Sequence, residues 1–243
     1  MELNRIYNEN CIDGMKRIKD GSIDLILTDL PFGVTACKWD SVLPFPSLWE
    51  QYNRIIKANG AIVLFSVQPF TTKLIQSNFN NFRYCWYWKK NNKTGFAFAK
   101  YQPMRCIEDI CVFYKHAPKY NPQGLKKIET PKVRQKKYSE KEMIYKASTL
   151  SKQFTQKYTN YPVHLLQFDN EAASNKNRLH PTQKPLALCE YLIKTYTDEG
   201  ETVLDSCAGS GTTLLAAKNT GRQYIGFETD PHYFNICVDR LAG

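Results

Sequence analysis

Asp29-Leu30-Pro31-Phe32 closes the apolar run Ile23 to Leu27 and places a carboxylate, a backbone carbonyl and an aromatic ring within four residues. Such a set can accept both N–H bonds of an exocyclic amine and stack on the ring that carries it. That amine is a poor nucleophile because its lone pair is delocalised into the ring. Acceptors that hold the two N–H bonds localise the lone pair, and no strong base is needed. Taken singly, Asp29 reads as a strand-end turn carboxylate and Phe32 as a core aromatic; the joint motif carries the chemical reading. Gly33 serves the turn, and Trp39 and Asp40 follow in a loop that either packs or closes over a held ring.

A second constellation lies near the other end. Thr202 to Asp205 reads as a strand, Ser206-Cys207-Ala208-Gly209-Ser210-Gly211 as a glycine loop, and Thr212 as the start of a helix whose N-terminus carries partial positive charge. Gly209 and Gly211 let a ligand approach the backbone, which is the pattern of a nucleotide-type pocket. Glu228 ends the next strand, roughly 20 positions on, where a carboxylate commonly accepts hydrogen bonds from ribose hydroxyls. A dinucleotide fingerprint needs another glycine three residues after Gly211, and Leu214 stands there. A mononucleoside-type ligand such as S-adenosylmethionine is therefore favoured over NAD.

Alternating strands and helices must position both motifs. Ile23 to Thr28 suits a buried parallel strand, Phe45 to about Lys57 a helix stopped by Asn59-Gly60, and Ala61 to Ser66 the next strand. Pro69 to Ser77 reads as a short helix, and Arg83 to Trp88 and Ile110 to Tyr114 as strands. Leu186 to Tyr196 is a predicted helix, Thr202 to Asp205 a strand, Thr212 to Asn219 a helix and Gln223 to Phe227 a strand. Pro231 opens a last helix, with Asp230 as its cap.

At 243 residues the chain is long enough for one domain, 1–243, carrying an insertion at 117–178. Residues 115–178 hold 14 Lys and Arg against 5 Asp and Glu, so this quarter carries nearly all of the formal +10 charge. Tyr138, Tyr145, Phe154, Tyr158 and Tyr161 are interleaved with those cations. Charge that meets phosphate and rings that stack on bases point to nucleic acid, against a solvated insertion anchored by its tyrosines. Lys126, Lys127, Lys132, Arg134, Lys136 and Lys137 are the candidate contacts. Eight cysteines without a Cys-x-x-Cys pair read as reduced thiols of a cytoplasmic protein, and the spacing of Cys106, Cys111 and His116 fits no common zinc set. No apolar stretch approaches the roughly 20 residues that span a bilayer, so no membrane partner is expected.

These residues resemble the DNA amino-methyltransferases, which modify exocyclic nitrogens of adenine or cytosine. The family signature Asp/Asn/Ser-Pro-Pro-Tyr/Phe/Trp is similar to Asp29-Leu30-Pro31-Phe32, and its cofactor loop Asp-Pro-Phe-x-Gly-Ser-Gly-Thr-Thr to Asp205 through Thr213. His180-Pro181-Thr182-Gln183-Lys184-Pro185 is similar to the family's segment near the methionine moiety. With the catalytic motif before the cofactor loop, the order resembles the β class. The resemblance implies a Rossmann-like α/β fold with circularly permuted motif order, S-adenosylmethionine as cofactor, and double-stranded DNA as partner with the target base flipped out. It implies that 117–178 is the target-recognition insertion and that copies pair into a homodimer.

By the same resemblance Asp205, Cys207, Gly209, Gly211 and Thr212 line the cofactor, Glu228 takes the ribose, and Thr182 and Lys184 lie near the carboxylate end. Asn10 either borders the adenine or merely starts a helix. Aspartate at 29 favours adenine N6 over cytosine N4. Leu30 departs from the first proline, and Ser206 and Cys207 from Pro-Phe, which keeps an inactive DNA-binding module in view beside cytosine N4 and RNA methylation.

Overall fold

The computed structural model describes residues 1–33, 41–134, 154–169, 179 and 183–243. The elements run β1 (Arg5–Tyr7), α1 (Cys11–Met15), β2 (Ile23–Asp29), α2 (Phe45–Ile55), β3 (Ile56–Ser66), α3 (Phe70–Ser77), β4 (Phe82–Thr94), a 3-10 turn (Phe96–Phe98) and β5 (Arg105–Phe113). They continue with β6 (Lys126–Arg134), β7 (Phe154–Thr159), β8 (Leu165–Gln167), α4 (Leu186–Tyr196), β9 (Thr202–Asp205), α5 (Thr212–Asn219), β10 (Gln223–Phe227) and α6 (Pro231–Ala242).

The chain divides into two compact units, Met1–Asn121 with His164–Gly243, and Pro122–Val163. In the first, eight strands form one sheet in the order β1-β10-β9-β2-β3-β5-β4-β8. The run β1 to β3 is parallel, and β5 pairs antiparallel with both β3 and β4. β2 and β9 are buried and mostly apolar because helices cover both of their faces, with the buried Asp24 of β2 paired to Lys57 at 2.6 Å. Leu25 and Leu27 pack with Leu188, Leu192, Leu214 and Ala217 of α4 and α5. Ile26 points the other way, into a cluster with Met15 of α1, Leu48, Trp49 and Tyr52 of α2, and Phe70 and Leu74 of α3.

Strand order makes the crevice. From β2 the chain passes through α2 to β3 on one side, and from β9 through α5 to β10 on the other. The β2/β9 junction is thus the point where the winding reverses, and ligands of open α/β sheets sit outside the carboxyl ends of the strands at such a point. Asp29 and Asp205 end those two strands.

Most of the anticipated elements are present, β1, β6 and β7 had no counterpart in the sequence reading, and three departures have physical reasons. Helix α2 stops at Ile55 and Asn59-Gly60 lies inside β3, not at a helix end. Ile56 already pairs with Ile23, and a Cβ on Gly60 would sit 2.8 Å from the Asp24 carbonyl, so this glycine marks a close strand approach. Strands β4 and β5 run past their apolar stretches into a polar arm held by backbone pairing. Leu165–Gln167 lies within the expected 117–178 insertion yet returns to the main sheet beside β4, with Leu166 buried.

The second unit carries an antiparallel pair, Lys127 opposite Tyr158 and Lys132 opposite Gln156, with the register shifting between. No helix among the described residues is long and apolar enough to cross a membrane. Seven described cysteines are free thiols, and no group of three or more His, Cys, Asp or Glu is arranged for a metal among the described residues.

Candidate active site

Parallel pairing of Leu25 with Val203 and Ile26 with Leu204 brings the Asp29-Leu30-Pro31-Phe32 turn and the glycine loop side by side at one sheet end. The junction is tied by residues that replace the family's usual ones. Ser206 donates its backbone N–H to Thr28 Oγ1 at 3.0 Å, and its hydroxyl lies 2.6 Å from that of buried Tyr52. Burial pushes the Tyr52 phenol well up, so it stays a neutral hydrogen-bonding group. A proline at 206 would supply neither donor. Ser206→Pro is therefore expected to lower stability by about 2 kcal/mol or more, read from denaturant midpoints, because two buried hydroxyls lose a partner. An unchanged midpoint would show that the junction does not depend on this serine. Leu30 is likewise used: its side chain is buried among the residues beneath α1, α2 and α3.

Asp29 meets a cation 155 residues away in the sequence. Lys184, buried directly before α4, donates to Asp29 Oδ2 at 2.6 Å and lies 3.3 Å from Glu108 Oε2 on β5. Glu108 in turn binds Lys90 of β4 at 2.9 Å. Burial alone would lower the Lys184 ammonium, but the carboxylates of Asp29 and Glu108 outweigh it and hold the group above its ordinary value. Burial would raise Glu108, and Lys184 with Lys90 instead hold its carboxyl below the usual range. Two cations and two carboxylates thus alternate in a mostly buried chain that fixes the orientation of Asp29. The Lys184 ammonium also lies 5.9 Å from the Phe32 ring centre, and Phe32 is tilted against Phe70 at 5.2 Å.

Across the junction, Asp205 is buried and its Oδ1 accepts from the Cys207 N–H at 3.1 Å. Burial raises its carboxyl to about 7. Glu228 bridges the loop and the last helix: Oε2 accepts from Gly209 N–H and Oε1 from Asp230 N–H, each at 2.8 Å. Gly211 has φ +78°, and a Cβ there would run into Cys237 Sγ, so α6 could not close on the loop with any other residue. Close packing of α5 on β10 is achieved by Gly226, where a Cβ would strike Leu214; this is why position 214 does not need to be glycine. Arg240 braces the loop through the Ser210 carbonyl at 2.5 Å and Thr212 Oγ1 at 3.2 Å. Cys207 is half-buried, and contact with Cys11 together with burial keeps its thiol neutral.

Asn10 caps α1, accepting from the Ile12 N–H at 2.8 Å, and Asp230 caps α6 through the N–H groups of His232 and Tyr233. Lys184, grouped with the cofactor residues on resemblance, bonds Asp29 from its place just before α4. Thr182, Lys136, Lys137, Trp39 and Asp40 lie outside the described residues, and of Arg134 only the backbone is described, as the last residue of β6. Lys126, Lys127 and Lys132 are exposed on β6. Glu108, Lys90 and Tyr52 went unnoticed in the sequence. No local signal marked Glu108 and Lys90, since both lie where β4 and β5 turn from apolar to polar residues.

The residues fit an adenosyl sulfonium ligand. A glycine loop opens a helix N-terminus, and the carboxyl groups of Asp205 and Glu228 flank that loop and can accept hydrogen bonds from hydroxyls.

A family model described as DNA methylase, of the N6/N4 methyltransferase group, matches residues 23–239. The type II methyltransferase M.HpaI of Haemophilus parainfluenzae is 30% identical over 98% of this chain and 74% of its own length. M1.MboII of Moraxella bovis is 25% identical over 97% and 95%. Among solved structures, the M1.HpyAVI–SAM complex is similar with TM-score 0.64 at 24% identity, covering 97% of this chain and 98% of that one. The cytosine-N4-specific PvuII DNA methyltransferase is similar with TM-score 0.71 at 19% identity, covering 99% and 86%. The family match over residues 23–239 and the 30% identity to M.HpaI place the chain, with its Asp29 turn and glycine loop at the switch point of the sheet, in the N6/N4 DNA methylase family, as a DNA methyltransferase that uses S-adenosylmethionine.

Proposed function

We propose that this methyltransferase modifies the exocyclic N6 of adenine in double-stranded DNA. Asp29 and the Leu30 carbonyl accept the two N–H bonds of a base turned out of the helix, and Phe32 stacks on its ring. Lys184 acts through Asp29 as a positioning residue. The cofactor supplies a methyl group carried on a sulfonium. Asp205, Cys207, Gly209, Gly211 and Thr212 hold it, Glu228 receives its ribose, Thr182 and Lys184 lie near its carboxylate end, and Asn10 borders its adenine from the cap of α1. Holding amine and methyl in line supplies much of the acceleration.

The observation that carries this reading is the buried Lys184–Asp29 pair at the carboxyl end of β2, directly beside the glycine loop of β9. A carboxylate fixed in that way is an acceptor aimed at one place, and aspartate at the first motif position supports adenine. The test is transfer from labelled S-adenosylmethionine to unmethylated duplex DNA, with mass spectrometry of the nucleosides. N6-methyladenine is expected; N4-methylcytosine would overturn the base assignment and keep the mechanism, and no product on DNA would overturn both.

Lys126, Lys127, Lys132, Arg134, Lys136 and Lys137 meet DNA phosphates in this reading. Replacing the exposed Lys126, Lys127 and Lys132 by glutamine is expected to weaken DNA binding at low salt. It should also flatten the plot of log affinity against log salt by up to about 0.9 for each phosphate no longer neutralised. A slope equal to that of the wild type would return this block to a solvated surface.

A further inference from the structure

We infer that the β4–β5 arm, residues 94–105, is a duplex-opening element whose Phe96, Phe98 and Tyr101 rings stack into double-stranded DNA beside the extruded base. The inference rests on the reading that the target base leaves the stack, whichever base it is.

Three large rings stand in water here. Phe96 is 81% exposed, Phe98 58% and Tyr101 86%. Surface rings scattered singly need no explanation, but three within six residues form a patch. The tip that presents them is built. Gly95 turns the chain at φ +92°, and the N–H groups of Phe98, Ala99 and Tyr101 close successive turns onto Gly95, Phe96 and Phe98 carbonyls at 3.0, 3.0 and 2.8 Å. Rings mounted on an ordered turn lose little freedom when they stack.

Topology puts the arm at the reacting end of the sheet. Because β5 runs antiparallel to β3, with Ser66 opposite Asp109, the arm leaves the sheet where β2 and β3 end, on the same side as Asp29. Its root is the ion-pair chain itself: Lys90 of β4 bonds Glu108 of β5, which is paired with Trp88, and Glu108 reaches Asp29 through Lys184. From Lys90 the strand extends on the order of 10 Å before it turns.

Charge selects the occupant. Residues 89–107 contain Lys89, Lys90, Lys93, Lys100 and Arg105 and no Asp or Glu, and Lys93, Lys100 and Arg105 are exposed around the rings. A second copy laid on this face would oppose like charges, whereas a polyanion with stacked bases satisfies cations and rings together.

The triple variant Phe96→Ser, Phe98→Ser, Tyr101→Ser tests this on unmethylated genomic DNA offered as duplex and as heat-denatured strands. Its kcat/KM on duplex is expected to fall roughly 30- to 100-fold, while the rate on denatured DNA and the affinity for S-adenosylmethionine stay within about threefold. Phe96→Trp should retain the duplex rate. Equal losses on both DNA forms, or a wild-type duplex rate, would overturn the arm's role, and a changed oligomeric state with an unchanged duplex rate would assign the patch to a second copy. A cytosine product in the wild type would overturn the adenine reading and leave the arm standing; no transfer to either DNA form would overturn both.

Discussion

Asp29→Ala is expected to lower methyl transfer by about a thousandfold or more while S-adenosylmethionine still binds within about threefold of wild type. The size follows from what is removed: one fixed acceptor in a mostly buried site, the kind of group whose loss elsewhere costs about 10²- to 10³-fold, together with the lone-pair control that the amine needs. Folding survives because Lys184 keeps Glu108 as its counter-charge at 3.3 Å. Asp29→Asn keeps the shape and one acceptor oxygen but loses the charge, so its rate should fall between the two. Single-turnover transfer with labelled cofactor, paired with calorimetric binding, separates chemistry from affinity. Residual transfer with lost cofactor binding would move Asp29 out of the catalytic role and into the cofactor site.

Lys184→Met is the second large effect, and its signature is a dependence on pH. The methionine chain fills the same space, but Asp29 loses its 2.6 Å partner and Glu108 is left with Lys90 alone. Breaking a buried pair by removing one member costs about 3–5 kcal/mol. Glu108 is held below its ordinary value of 4.5 by the two lysines against the opposing effect of burial. A depressed carboxyl contributes stability that is fully present above its unfolded value and is lost as pH falls through the folded one. The deficit of the variant is therefore largest near pH 7 and shrinks as pH drops below about 4.5, where the carboxylates take up protons in both proteins. The acid limb of the rate profile moves to higher pH, because two neighbouring carboxylates without their cation repel. Urea midpoints at neutral and acid pH, with the rate profile, test both parts. An equal deficit at both pH values would mean that Lys184 acts through packing rather than charge.

Lys184 also separates the two kinds of assignment that the sequence supported. Its place in a His-Pro-Thr-Gln-Lys-Pro segment pointed to the methionine end of the cofactor. The contacts add a role that the segment does not encode, since its ammonium also pairs with Asp29 and Glu108. Ser206 is a parallel case. Against the family pattern it reads as a defect in the cofactor loop, yet its N–H and hydroxyl are both committed to Thr28 and Tyr52. The departure at 206 is therefore a structural tie across the junction.

What the sequence determined by itself is what short-range physics controls. The buried strands Ile23 to Thr28 and Thr202 to Asp205 announce themselves as apolar runs, the helix from Pro231 through its first-turn proline and Asp230 cap, and the glycine loop through residues that tolerate positive φ. The motifs lie at strand ends for the same reason, so the crevice could be anticipated from order alone. The tertiary structure decided which charges meet. Lys184 and Asp29 are 155 residues apart, and Tyr52 and Ser206 are 154 apart. A buried charge or hydroxyl chooses its partner by where the sheet brings the chain back, and no local periodicity encodes that return.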